Sequence, residues 1–160
     1  NFILAWTLSP ENFAVEHEKG AVSLEQRLKA AKEMLEKGWK VRICFDPVIY
    51  IENFEKEYGE LVKRTFNELV SENILDVSIG TFRISKEYLK RMRKYRENSE
   101  ILSYPFFCEE GVYSYYPQHI KKMIDFNDTS ISFFISLKLP DANLHKVHYT
   151  SLCQGVASFL

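Results

Sequence analysis

Three apolar runs of strand length, at residues 2–6, 40–45 and 74–79, recur at intervals of about 35 residues, with a helical pattern between each pair. This recurrence constrains the fold more than any single motif. Antiparallel strands need only a tight turn, whereas parallel strands need a long crossover, usually a helix. The chain therefore reads as α/β, with parallel strands and crossover helices. The first run, Phe-Ile-Leu-Ala-Trp, has no polar interruption and suggests a strand covered on both faces. Residues 11–22 read as a loop. Ser23 with Gln26 three positions on is a capping box, and Leu24, Leu28, Ala31 and Leu35 follow at helical spacing before Gly38 stops the helix. A second amphipathic helix over about 51–71 carries Phe54, Tyr58, Leu61, Val62, Phe66 and Leu69.

In parallel sheets and α/β barrels, ligands are held at the carboxyl ends of the strands. Those ends carry polar groups here: Thr7 and Ser9 after the first run, Cys44 and Asp46 before Pro47 in the second, Gly80 and Arg83 after the third. Asp46 fits either a loop cap or a site residue; the matching polar ends on the flanking strands point to one shared pocket.

The second half is less regular. Ser85 caps a helix with Tyr88, Leu89, Met92 and Tyr95 as its apolar stripe. Its other faces hold Lys86, Lys90, Arg91, Arg93, Lys94 and Arg96 against only Glu87 and Glu97. Such a run is either a solvated face or an attractor for a phosphate backbone. An aromatic stretch over 101–116 contains a hairpin pattern around Glu109-Glu110-Gly111, with Tyr113 and Tyr115 available for stacking on bases or for packing. Pro117 opens a short helix, and residues 131–137 (Ile-Ser-Phe-Phe-Ile-Ser-Leu) read as a fourth strand. Residues 141–160 form a tail expected to be poorly ordered.

A net charge of −1 excludes general polyanion binding by the chain as a whole, leaving only a local patch. Cys44, Cys108 and Cys153 make neither a disulfide framework nor a C-x-x-C pair, which fits a reduced, cytoplasmic setting. His145, His148 and Cys153 lack a fourth ligand at metal-site spacing. No run approaches membrane-span length. The sequence starts inside an apolar run without Met, the expected appearance of a piece of a longer protein.

The order Leu4-Ala5-Trp6-Thr7-Leu8-Ser9-Pro10, Phe45-Asp46-Pro47-Val48-Ile49 and Ile79-Gly80-Thr81-Phe82-Arg83 resembles the carboxyl-terminal half of the spore photoproduct lyases. The helices between these motifs and the hairpin before Pro117 extend the resemblance over most of residues 2–136. Members of that family are radical S-adenosylmethionine enzymes that repair a UV-induced thymine dimer in spore DNA. The resemblance implies that residues 1–140 form the later part of a partial (β/α)6 TIM-type barrel. It implies S-adenosylmethionine as cofactor, cleaved by a [4Fe–4S] cluster to a hydrogen-abstracting radical. It implies DNA and the missing amino-terminal half as partners. Thr7, Ser9, Cys44 and Asp46 then face the cofactor. Tyr115 matches a hairpin tyrosine that contacts DNA, and Arg83, Tyr113, Lys90, Arg93 and Lys94 complete the DNA-facing set.

The family's C-x-x-x-C-x-x-C run and hydrogen-donor cysteine are not in this sequence, so both are expected upstream. Cys44 stands where many relatives carry His, and Ser114 where the family has Arg. The chain alone is accordingly expected to bind no cluster and to be inactive, with exposed apolar surface at residues 2–6. Two other readings stay open: a non-catalytic nucleic-acid-binding module built on the basic helix and Tyr113/Tyr115, or part of another radical enzyme.

Overall fold

The computed structural model describes residues 2–69, 72–138 and 147–150. The βα alternation of the first half is present: β1 (Ile3–Thr7), α1 (Glu11–His17), α2 (Leu24–Glu36), β2 (Lys40–Val48), α3 (Phe54–Glu68) and β3 (Ile74–Thr81). Then come β4 (Arg83–Ser85), α4 (Lys86–Tyr95), α5 (Glu100–Ser103), β5 (Phe107–Glu109), β6 (Val112–Ser114), α6 (Pro117–Lys138) and β7 (Val147–Thr150). The main sheet has the order β1-β2-β3-β7 with every pair parallel, and a small antiparallel sheet has the order β4-β6-β5.

Local chemistry explains the elements. The Ser23 hydroxyl accepts from the Gln26 N–H at 3.2 Å while the Gln26 side chain takes the Ser23 N–H, closing the capping box of α2. Leu24, Leu28, Ala31 and Leu35 are all buried, as their spacing predicts. They join Val41, Ile43 and Phe45 of β2 and Tyr58, Leu61, Val62 and Phe66 of α3 in one core. Removing each of the larger side chains from water stabilises the fold by about 1.5–3 kcal/mol. At the hairpin, Glu110 (φ 48°) and Gly111 (φ 79°) both take the left-handed conformation that a two-residue type I′ turn requires.

Five expectations need correction. Residues 11–17 are a helix, α1, rather than loop. β1 is an edge strand with a partly open face; Phe2 beside it is 82% exposed, so it is not covered on both sides. β2 does not stop before Pro47 but runs on to Val48 through an irregularity between Phe45 and Val48, where the missing proline N–H costs no ladder bond. Residues 131–137 are the last turns of α6 and not a strand. Met123, Asn127, Ile131 and Ile135 are buried four residues apart, a helical stripe that the local Ile-Ser-Phe-Phe run conceals. Finally, Tyr95 is no part of the α4 core stripe; it is 83% exposed.

Within the tail, residues 147–150 add to the main sheet as β7, where Val77 pairs with Val147 and Ile79 with Tyr149. His145 and Cys153 lie outside the described residues. Helices α3 and α6 pass closely at Gly59, where an added Cβ would stand 3.5 Å from Phe126 Cζ.

Candidate functional site

Side chains alternate along a strand, and in-register residues on neighbouring strands share a face. On one face of β2, Val41, Ile43 and Phe45 are buried in the core; on the other, Arg42, Cys44 and Asp46 are half-buried. Register then lays out a polar surface. Thr7, Cys44, Ser78 and His148 are successive partners across all four strands, and the row beneath holds Ala5, Arg42 and Asp76. Three of the four sequence-predicted cofactor residues, Thr7, Cys44 and Asp46, therefore share one side of the sheet. Ser9 lies buried just past them, on a segment kept beside β2 by the Leu8 N–H donating to the Cys44 carbonyl at 2.9 Å.

The electrostatics of this face centre on Asp76. The residue is 2% exposed, and its carboxylate accepts a bidentate pair from Arg42, Nε to Oδ1 at 2.5 Å and Nη2 to Oδ2 at 2.7 Å. His148 Nε2 lies 3.5 Å from Oδ2 of the same carboxylate. Donating to the Asp76 carboxylate raises the already high pKa of Arg42. Burial pushes the Cys44 thiol up to about 11, with Asp46 and Asp76 adding to the effect against an opposing pull from Arg42. Cys44 is thus a neutral thiol at neutral pH, unsuited to act as a thiolate nucleophile. Among the described residues no group of three His, Cys, Asp or Glu could hold a metal ion. The described cysteines, Cys44 and Cys108, are too few for the cysteine set of an iron–sulfur cluster.

The proposed DNA-facing residues are spread over α4 and the small sheet. Arg83 pairs in register with Ser114, and Tyr113 with Ile84 and Cys108. Thr81, Arg83, Glu109, Ser114 and Tyr149 line a cavity of about 440 Å³ at the carboxyl end of β3. Lys90 and Lys94 are exposed on α4; Arg93 Nε donates to the Leu102 carbonyl at 2.8 Å, tying α4 to α5.

Tyr115 corrects the sequence reading. It is 1% exposed, and its hydroxyl oxygen accepts the Tyr50 N–H at 3.1 Å. Tyr58 does the same for the Ile49 N–H at 2.8 Å. Burial raises both phenols well above the usual tyrosine range. In this structure Tyr115 offers no ring face for a base. It belongs to a cluster in which Tyr50 stacks on His119, with centroids 4.7 Å apart and planes 3° from parallel, and Tyr104 Oη bonds His119 Nδ1 at 2.5 Å.

Sequence reading placed none of Arg42, Asp76 and Ser78 in the site, and took His148 only as part of an incomplete metal set. Following every second residue of the second and third apolar runs exposes the polar side of the first three; the partnership of His148 is a product of long-range pairing. It also missed a cavity of about 310 Å³ past the end of β2, where Tyr50 and Tyr104 stand among Glu16, Glu52, Glu57 and Glu100. Its acidic rim would repel a phosphate backbone.

No family model matches the chain. A spore photoproduct lyase of Clostridium acetobutylicum is 29% identical over 85 residues, 53% of this chain and 25% of that protein. A solved spore photoproduct lyase in complex with dinucleoside spore photoproduct superposes on 92% of this chain and 43% of its own, with a TM-score of 0.68 at 17% identity. A double mutant of spore photoproduct lyase with bound AdoMet and dinucleoside spore photoproduct gives a TM-score of 0.68 at 16% identity over the same shares. The chain spans a quarter of the length of the curated relative and less than half that of the solved ones. The motif-level resemblance is matched by an independent likeness in sequence and in fold: this protein is similar to part of a spore photoproduct lyase.

Proposed function

We propose that the chain is the carboxyl-terminal part of a cytoplasmic radical S-adenosylmethionine lyase that repairs the spore photoproduct in DNA. In this reading the four-stranded parallel sheet is the later part of a (β/α)6 barrel, and its polar face is the wall toward the cofactor. Thr7, Ser9, Cys44 and Asp46 would hold S-adenosylmethionine. The observation that carries the proposal is the placing of Thr7, Cys44 and Asp46 on one half-buried polar side of the sheet, at the strand ends where such folds bind ligands. Bound there, the cofactor would supply the adenosyl group from which the hydrogen-abstracting radical is made. The residues of this chain would orient it and shield it from water. Since the described residues do not fit an iron–sulfur cluster, its ligands would come from the amino-terminal half, and the chain alone would be inactive.

DNA would meet the small sheet and α4. Arg83 stands directly across the strand pair from Ser114, so cross-strand spacing of about 5 Å lets it supply a cation close to where the resemblance expects an arginine. Tyr113 flanks it, and Lys90, Arg93 and Lys94 extend the positive surface. The test uses the full-length natural protein and a fluorescent thymine-rich oligonucleotide, titrated at several salt concentrations. Lys90→Glu with Lys94→Glu should weaken binding and flatten the salt dependence by up to about two phosphate contacts. An unchanged slope would remove α4 from the interface. Failure of the wild-type protein to take up S-adenosylmethionine would sink the cofactor assignment.

A further inference from the structure

Arg27, on α2, crosses to the carboxyl end of β1. Its Nη1 donates to the Thr7 carbonyl at 3.3 Å, its Nε donates to the Val22 carbonyl at 3.0 Å, and its Nη2 pairs with Glu18 Oε2. One guanidinium therefore fixes the end of β1, the approach to α2 and the residue that caps α1, using the rigid fork that lysine lacks. Glu18 is 5% exposed, and among the described residues its Oε1 has no hydrogen-bond partner. A buried carboxylate with one oxygen unsatisfied is a poor device for stability, because desolvation offsets much of the attraction. It is a good device for geometry, since it holds the guanidinium in one orientation against the backbone it grips.

We propose that Arg27 and Glu18 are positioning residues for the candidate site. They hold the Thr7–Ser9 backbone at the distance from β2 that places Thr7 beside Cys44. The inference rests on the cofactor-wall reading given above. Neither residue touches the polar face itself; the action is through the Thr7 carbonyl, whose strand carries Thr7 into register with Cys44 and whose next residue donates to the Cys44 carbonyl.

The experiment compares the full-length natural protein with the double variant Glu18→Leu/Arg27→Met and with Arg27→Lys, by melting, amide hydrogen exchange and S-adenosylmethionine titration. Replacing a buried ion pair with apolar side chains of similar volume is often neutral or stabilising. The double variant should therefore melt close to wild type, the lost contacts to the Thr7 and Val22 carbonyls offsetting any gain, yet its Leu8 amide should exchange about tenfold faster as the segment opens locally. Its affinity for S-adenosylmethionine should fall about tenfold through misplacement of Thr7 and Ser9. Arg27→Lys keeps the charge but cannot make the fork, and should show the same two changes in smaller degree. Unchanged exchange at Leu8 in both variants overturns the proposal, and so does faster exchange with wild-type affinity. If the wild type takes up no S-adenosylmethionine, the cofactor reading fails alone, and the Leu8 exchange rate still decides whether the clamp exists.

Discussion

Replacing Tyr115 with Phe separates a packing role from a DNA-contact role with the loss of one oxygen atom. The ring is retained, so its contacts with Tyr50, Phe82, Tyr104 and Phe106 persist. What disappears is the acceptor for the Tyr50 N–H, now 3.1 Å from Oη. The donor is left in a part-buried setting. An unsatisfied buried donor costs about 1–3 kcal/mol, and the lower half of that range applies where some water can reach it. For a chain of this size, about 1–2 kcal/mol corresponds to a drop in Tm of about 2–8 °C. Thermal melting by circular dichroism would measure it, with Tyr113→Phe as the control on a half-buried ring. Oligonucleotide affinity, measured well below both melting points, should be the same for Tyr115→Phe and wild type. An unaltered Tm combined with lost DNA binding would refute the assignment of Tyr115 to the core.

Other outcomes follow from particular contacts. Gly59→Ala should stabilise the protein by about 0.5–1 kcal/mol, because alanine is the better helix former and its Cβ meets Phe126 Cζ only at ordinary van der Waals distance, 3.5 Å; a lower Tm would show that α3 and α6 cannot accept even a methyl group there. Cys44 should be far slower than the exposed Cys108 to react with iodoacetamide at neutral pH, and its rate should climb as pH approaches about 11. The folded thiol holds its proton more tightly than the unfolded one, whose value is 9.0. The stability it contributes is therefore present below about pH 9 and is lost as pH rises toward about 11. Unfolding titrations of the wild type and of Cys44→Ser across that range should show a steeper loss of stability with pH in the first; the slope left in the second comes from buried phenols such as Tyr58 and Tyr115.

What could be read from the sequence was local. The Ser23–Gln26 box, the Leu24-Leu28-Ala31-Leu35 stripe and the Glu110-Gly111 turn each declare themselves within a few residues, and each appears where expected. Strand ends were legible because the apolar runs stop at polar residues, which is how Thr7, Cys44 and Asp46 came to be candidates. Errors arose where the deciding partner was distant. The Ile-Ser-Phe-Phe-Ile-Ser-Leu run is compatible with strand or helix, and packing of Met123, Asn127, Ile131 and Ile135 decided for helix. A polar Asn in the buried stripe hid the period; its Nδ2 is satisfied by the Met123 carbonyl one turn back, at 2.8 Å. Nothing within the hairpin distinguishes Tyr115 from Tyr113. Burial follows from the 50s loop, which is remote in sequence and brings the amide that the Tyr115 phenol accepts.

The pairing of Asp76 also sets an order of assembly. Arg42 precedes it in the chain, so the carboxylate gains its bidentate partner as soon as β3 lies beside β2. His148 follows by 72 residues (148 − 76), which at about 5–20 residues per second of synthesis is a delay of some seconds. During that interval β3 presents an unpaired edge, and the parallel closure by β7 must wait until the whole of α6 has been made. The first three strands can form a nascent unit early; the fourth is a late addition, made at high loop-closure cost. A chain cut back to residues 1–138 should therefore expose the β3 edge and self-associate, which analytical ultracentrifugation would measure.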